Sequence, residues 1–311
     1  MDLISIGECM IEFYLEPQLG ENIFIQGFGG DTLNVLVAAA RLGTSVAFLT
    51  KVGDDQFSQY LLKVWEQENI NITLVKHVKD SFCGIYFINL DEKKERSFVY
   101  YRKGSAASTL QPNDIDFSLI SNCKILYTSG ITQALSKSNR QTIRQLFEEF
   151  KEKKSRDAII AYDPNFREKL WLGQIIEAKE AQDELLPFID IVLPSYPADA
   201  VLSQAKFPQE MIDYYIGHDI NTIIVKQGKE GCSYTLDKGQ SIQHFPALEI
   251  PQIVDTTGTG DAFNGGVFSG ILKGYSIADS IKLGTIVAGL KIQGKGAIPP
   301  LPRLDEIKHF W

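Results

Sequence analysis

The chain is short of the residues that staple a fold together. Among its 311 residues there are four cysteines, at positions 9, 83, 123 and 232, and no two have CxxC spacing. That argues against structural zinc and against a disulfide framework, and it fits a reducing cytoplasm. Positive charge is also in deficit: 31 Lys and Arg against 39 Asp and Glu leave a net −8. General binding to nucleic acid or to an anionic membrane is therefore not expected, although a few basic side chains and backbone donors can still build a local site for an anionic small ligand. No apolar run approaches membrane-spanning length. The start, MDLISIGECMIEF, has no basic segment ahead of a long apolar core, so it does not read as a secretory signal. What is present, 44% hydrophobic and 23% charged residues, is the composition of an ordinary soluble globular protein. The length allows one large α/β domain or two smaller ones.

The most informative stretch is IVDTTGTGDAFNGG, residues 253–266. Gly258, Thr259 and Gly260 let the backbone turn tightly and aim several N–H groups at one point. The helix expected next, over 263–273, adds unpaired N-terminal donors and the positive end of its dipole. That is a cradle for phosphate. Asp261 places a carboxylate beside it, where it can take a proton from a hydroxyl attacking a phosphoryl group. The plainer alternative is a Gly-rich turn with Asp261 as an N-cap.

Ahead of this stretch, 3–7 reads as a buried strand ending at a glycine, and Glu8 and Glu12 follow on more strand-like sequence. A second glycine cluster, Gly27-Phe28-Gly29-Gly30-Asp31-Thr32-Leu33-Asn34, opens a helix expected over 35–42 and closed by Gly43. Asp31 and Asn34 suit sugar hydroxyls, with Asp31 as a mere helix cap the competing reading. A strand at 46–52 and a helix at 57–69 precede two strand-like runs, 83–90 and 96–102, joined by a charged turn at 91–95. Alternation puts Phe98, Tyr100 and Arg102 on one face of the second run. A hairpin here, unlike the alternation around it, reads as a small sheet protruding over a negatively charged substrate, or else as a solvated or dimer-packing face. From residue 125 the β–α alternation is regular: strands at 125–127, 158–162, 189–193 and 220–226, helices at 139–154, 180–186 and 277–292. The strand at 158–162 runs into Asp163-Pro164-Asn165-Phe166-Arg167, polar residues where open α/β sheets bind ligands. There is no internal repeat, low-complexity tract or long linker. The expectation is one unit over 1–311, with lid strands inserted roughly within 10–28 and 82–104.

The ordered set Gly29-Gly30-Asp31-Thr32-Leu33-Asn34, Asp163-Pro164-Asn165, Lys226-Gln227-Gly228 and Asp255-Thr256-Thr257-Gly258-Thr259-Gly260-Asp261 resembles the ribokinase-like (PfkB) carbohydrate kinases over essentially the whole chain. Within that family the IGECMIE start, FGGDTLN, YYRKGSAAS, DPNFR and Lys295-Gly296-Ala297-Ile298-Pro299 most resemble kinases of keto-deoxy sugar acids. The resemblance implies a three-layer α/β sandwich with a mostly parallel central sheet and a small β-sheet lid that often builds a homo-oligomer. It implies Mg2+-assisted phosphoryl transfer from ATP to the terminal 6-hydroxyl of 2-keto-3-deoxygluconate. By position, Asp261 becomes the catalytic base and the N–H groups of Gly258, Thr259, Gly260 and Asp261 the anion hole. Gly30, Asp31, Asn34, Tyr86, Tyr100, Arg102 and Arg167 become substrate contacts. Asp163, Asn165, Ser195, Lys226, Gly228 and Gly231, with Gly258 and Gly260, fall on the nucleotide side. No protein ligand set for a metal is implied, since magnesium is carried mainly on ATP oxygens.

The substrate's carboxylate calls for a guanidinium, and Arg102 and Arg167 are the candidates. A fructokinase-like enzyme is the nearest alternative, and a non-catalytic sugar or nucleotide sensor a more distant one. The chain departs from the family pattern in two places. Many members carry Asn-x-x-Glu where this sequence has Ser195-Tyr196-Pro197-Ala198-Asp199, which puts a magnesium-water contact in doubt. The usual Gly-Ala-Gly-Asp is here Gly-Thr-Gly-Asp, which leaves the backbone cradle feasible.

Overall fold

The computed structural model describes every residue except Pro17, Glu21, 91–95 and Trp311, and at Asn89, Leu90 and Arg96 the backbone alone. The charged turn expected at 91–95 thus lies outside the described residues. The described residues form two sheets. Strand β1 (Leu3–Ile6) belongs to the larger and leads directly into two strands of the smaller, β2 (Met10–Leu15) and β3 (Phe24–Gly29). β4 (Val46–Val52), β5 (Ile70–Asn71) and β6 (Val75–His77) return to the larger sheet. β7 (Gly84–Leu90) and β8 (Arg96–Tyr101) complete the smaller. The remaining strands, all in the larger sheet, are β9 (Ile125–Ser129), β10 (Ile159–Asp163), β11 (Ile191–Val192), β12 (Thr222–Lys226), β13 (Cys232–Thr235) and β14 (Gln243–Phe245).

The larger sheet runs β14-β13-β12-β11-β10-β9-β1-β4-β5, with β6 also beside β4. Its pairings are parallel except β12–β13 and β13–β14. The helices are α1 (Asp31–Arg41), α2 (Gln56–Gln67), α3 (Gly130–Ala134), α4 (Lys137–Lys153) and α5 (Ile175–Asp183). They continue with α6 (Ala200–Ser203), α7 (Pro208–Gly217), α8 (Thr259–Leu272) and α9 (Ile277–Lys291).

Strand residues divide between two apolar cores by their period of two. Leu3, Ile125, Tyr127 and Ile224 face one core with Leu33 and Val37 of α1, Trp65 of α2, Phe268 of α8 and Val287 of α9. Ile4, Ile6, Leu126 and Ile223 face the other, with Phe147 of α4 and Tyr215 of α7. Burial on both faces is why these strands read as unbroken apolar runs. The chain leaves β1 for β4 on one side and later returns to β9 on the other. That reversal opens a crevice at the carboxyl ends of β1 and β9, the place where such sheets take ligands.

Several boundaries differ from the sequence reading. α1 starts at Asp31, four residues early, because the glycine run ends at an extended Gly30 that serves as N-cap. α8 starts at Thr259, so Asp261 lies within the first turn and does not cap it. The helix expected at 180–186 is α5, which stops at Asp183 ahead of a 3-10 turn, Leu186–Phe188, with Pro187 at its start. β11 is shorter than 189–193 at its start because Ile189 closes the 3-10 turn, its amide donating to the Leu186 carbonyl.

Candidate active site

The N-termini of α1 and α8 meet in the crevice. Gly258 caps α8 at φ +71, a left-handed conformation that suits glycine, and a Cβ there would stand 2.9 Å from the Ala297 Cβ. The turn it makes leaves the amides of Gly258, Gly260 and Asp261 without an acceptor among the described residues. The Thr259 amide differs from expectation: it donates to the Thr256 carbonyl at 3.2 Å, which narrows the ring of free donors to three. Unpaired amides at a helix N-terminus form a site for an anion.

Asp261 lies beside that ring, 8% exposed, and accepts a hydrogen bond from Asn34 Nδ2 at 2.8 Å. Burial, reinforced by the charge of Asp31, pushes its carboxyl up to about 7, while the Asn34 bond pulls the other way. Asp31, one residue into α1, does not cap the helix either; its carboxylate accepts from Asn165 Nδ2 at 2.9 Å. Burial holds Asp31 above the usual carboxylate range as well. A Cβ on Gly30 would fall 2.0 Å from the Glu8 carbonyl, so the chain passes there only as glycine.

Lys226, at the end of β12, is 8% exposed. Its ammonium pairs with Asp163 Oδ2 at 2.5 Å and reaches Asn264 Oδ1 at 3.3 Å. Asn264 Nδ2 donates to the same Asp163 oxygen at 2.7 Å, and the Asn165 amide donates to the other at 3.1 Å. A Cβ built on Gly260 would lie 3.5 Å from Lys226 Nζ, so the cation sits at the mouth of the amide ring.

A cleft of about 570 Å³ opens on the far side of that cation. Ser195, Lys226, Gly228, Gly231 and Gly260 line it, facing apolar Leu248, Ile253 and Ile292. Asp163 and Asn165, expected on this side, are not part of the lining: the first is committed to Lys226 and Asn264, the second to Asp31. Asp199 is likewise occupied. It is 1% exposed, and its two oxygens accept from the amides of Phe166 (2.7 Å) and Ser195 (2.6 Å). Burial and the charge of Asp163 raise it to about 6. Each oxygen thus already serves a backbone amide, and among the described residues no group of three or more His, Cys, Asp or Glu side chains could hold a metal ion.

The smaller sheet, β3-β2-β7-β8, adjoins the crevice: a Cβ on Gly29 of β3 would lie 3.0 Å from the Tyr86 hydroxyl and 3.7 Å from Asn34 Oδ1. Tyr86 on β7 is 7% exposed and its hydroxyl donates to buried Glu12; burial, then the Glu12 charge, raises it well above an ordinary phenol. Tyr100 stacks on Tyr86 with centroids 5.7 Å apart, and the Arg102 guanidinium carbon lies 5.9 Å from the Tyr100 ring. Burial raises Tyr100, and the charges of Arg102 and Arg167 oppose that rise, so both cations bear on one phenol. Arg102 is not the uncommitted cation the sequence suggests. It forms an ion pair with Glu8, which also accepts from the Ser105 hydroxyl. Arg167 is exposed, and its side chain donates to the neighbouring Phe166 carbonyl at 2.9 Å. From the other end of the chain, Lys295 reaches the lid, pairing with Glu16 at 2.6 Å over the Tyr14 ring.

Glu8, Glu12 and Asn264 are the residues sequence reading did not assign. The signal for the glutamates was a pair of charges inside an apolar stretch, which pairing makes tolerable once they are buried. For Asn264 it was the three-residue step from Asp261, which puts both on one side of α8.

An amide ring at a helix N-terminus, a carboxylate beside it and a cleft that opens past Lys226 suit a phosphotransferase acting on a small hydroxylated substrate. The chain belongs to the pfkB family of carbohydrate kinases, whose model matches residues 1–304. It is 33% identical to a 2-dehydro-3-deoxygluconokinase of Haemophilus influenzae over 305 residues, covering 94% of each chain. Among solved structures, it superimposes with TM-score 0.86 and 25% identity on a fructokinase from Vibrio cholerae bound to fructose, ADP and calcium, covering 100% and 99% of the two chains. It shares its fold with an Escherichia coli protein bound to ATP and Mg2+, with TM-score 0.87 at 22% identity, over 99% and 98%. The protein is a sugar kinase with the ribokinase-like fold. No helix among its described residues is long and apolar enough to cross a membrane.

Proposed function

We propose that the enzyme transfers the terminal phosphoryl group of ATP to the 6-hydroxyl of 2-keto-3-deoxygluconate. The observation that carries this reading is the Arg102 guanidinium 5.9 Å from the Tyr100 ring centroid, with the Arg167 charge also acting on that phenol, since a sugar acid brings a carboxylate that a neutral sugar lacks. The identity to the Haemophilus enzyme points the same way. In this reading the sugar lies between Asp31, Asn34, Asp261 and the lid. Asp261 accepts the hydroxyl proton as the phosphoryl group arrives, while Asn34 fixes the carboxylate's orientation. The amides of Gly258, Gly260 and Asp261 receive the terminal phosphate, and Lys226 offsets charge on the nucleotide side. The nucleotide fits a cleft with glycines at its phosphate end and apolar walls at the other. When bound, ATP supplies the phosphoryl group and Mg2+ screens its oxygens, held by the nucleotide rather than by a carboxylate cluster. Four buried, unbridged cysteines fit a cytoplasmic setting, and the apolar outer residues of the lid, Val99 and Tyr101 among them, fit a homo-oligomer formed there.

A coupled ADP-release assay with 2-keto-3-deoxygluconate, fructose, ribose and adenosine tests this. The acid is expected to give the highest kcat/KM; faster turnover of fructose overturns the substrate. The Glu8–Arg102 pair favours that second, fructokinase-like reading, because an arginine already neutralised offers less to a carboxylate.

A further inference from the structure

Lys291 is the only lysine or arginine described as fully buried, at 0% exposure. It is the last residue of α9, the helix packed along α8, and its Nζ donates to the Asp255 carbonyl at 2.7 Å. A buried ammonium is costly unless it is met by hydrogen bonds and opposite charge, and an apolar side chain of the same length would fill the space without that cost. The carboxyl end of α9 lowers the cost, since carbonyls there present the negative end of the dipole.

The contact falls on the strap that sets the amide ring. The amides of Val254 (2.8 Å) and Asp255 (3.2 Å) donate to the Ile292 carbonyl, next to Lys291. Asp255 is 4% exposed; one carboxylate oxygen accepts from the Thr257 amide at 2.8 Å and the other from the Gly296 amide at 2.7 Å. The chain then enters Gly258, which packs on Ala297. Strap, helix end and the loop at 294–297 are thus sewn together around one internal cation, three residues ahead of the turn that frees the donors.

We propose that the Lys291 ammonium is a positioning group for phosphoryl transfer: a built-in cation that holds the 254–258 strap so that the amides of Gly258, Gly260 and Asp261 face the transferred phosphate. The inference rests on reading those amides as the phosphate cradle. Lys291 touches neither substrate; it acts through Asp255.

The test compares the full-length enzyme with Lys291→Met, which keeps the length and removes the charge, and Lys291→Ala, which leaves room for a small cation. Folding is followed by circular dichroism, nucleotide affinity by calorimetry, and turnover with the sugar the parent uses. Lys291→Met is expected to lose about 10- to 100-fold in kcat with the sugar KM within about twofold, because a small misplacement of catalytic donors costs that much. Ammonium chloride is expected to restore Lys291→Ala at least partly, and tetramethylammonium chloride at equal ionic strength is not. A role confined to stability would move the melting temperature and leave kcat and the ammonium response flat. A folded Lys291→Met with kcat within about twofold of the parent overturns the proposal, as does equal rescue by both salts. Should Lys291→Met fail to fold, Lys291→Ala decides the matter: recovery of turnover in ammonium alone supports the proposal, and its absence refutes it. A parent that turns over no sugar strikes the reading of the cradle instead, so the two failures are distinguishable.

Discussion

Asn34, on α1, donates its side-chain amide to the Asp261 carboxylate on α8 across 227 residues of chain, at 2.8 Å. The bond orients the carboxylate and favours its ionised form, against burial and the Asp31 charge that favour the protonated one. In the parent, kcat/KM is expected to rise with pH through about 7, as the free enzyme's Asp261 loses its proton. Asn34→Ala removes a contact that lowers this value, so its rising limb should move to higher pH. A profile flat between pH 6 and 8 in both enzymes contradicts the assignment.

Asp261→Asn separates chemistry from binding. The amide keeps the shape and leaves the backbone donors in place, so turnover should fall about 10²- to 10⁴-fold while ATP affinity, measured by calorimetry, stays within a few-fold. Retention of full turnover would remove Asp261 from the role of base.

The same residue makes stability depend on pH in a defined direction. Its folded value, about 7, lies above the ordinary 3.8, so the folded state holds a proton that the unfolded chain releases. Stability therefore falls as pH climbs from about 4 to about 7 and levels off above. Asp261→Asn escapes this. Its melting temperature should exceed the parent's at pH 8 and approach it near pH 4; a constant offset across that range contradicts the shift.

Arg102→Ala is expected to raise the KM for a sugar acid while leaving the KM for ATP nearly unchanged. It also leaves Glu8 buried without its cation, at a cost of about 3–5 kcal/mol. The double variant Glu8→Gln, Arg102→Met removes both charges and should recover most of the stability in urea unfolding without recovering affinity for the acid. Recovery of both would show that Arg102 serves the lid alone.

Asp199→Ala should leave the Mg2+ dependence of turnover unchanged and lower stability by about 1–3 kcal/mol, because two backbone amides lose their acceptor. A raised Mg2+ requirement, read from a metal titration at saturating ATP, would return Asp199 to the metal's surroundings.

Much of this site could be read from the order of residues because its principal parts are local. A glycine turn, a carboxylate three residues into a helix and polar residues after a strand are short-range patterns, and Gly258, Asp261 and Lys226 carry them. Pairings across the chain left no such trace. Glu8 meets Arg102, Asp163 meets Lys226 and Asn165 meets Asp31 only after folding, so single residues that looked available for ligand proved to be answering one another. Boundaries slipped where a backbone event outweighed side-chain pattern, as with the extended Gly30 that starts α1 early and Pro187 beyond the end of α5.

The smaller sheet is tethered with little slack. Only Gly7, Glu8 and Cys9 separate β1 from β2, and Gly30 alone joins β3 to α1, while Lys295 ties down the outer part of β2's connection at Glu16. A roof hung on hinges this short can tilt but not travel. The two shortest links, 7–9 and Gly30, are thus the points about which any rotation of the small sheet has to turn.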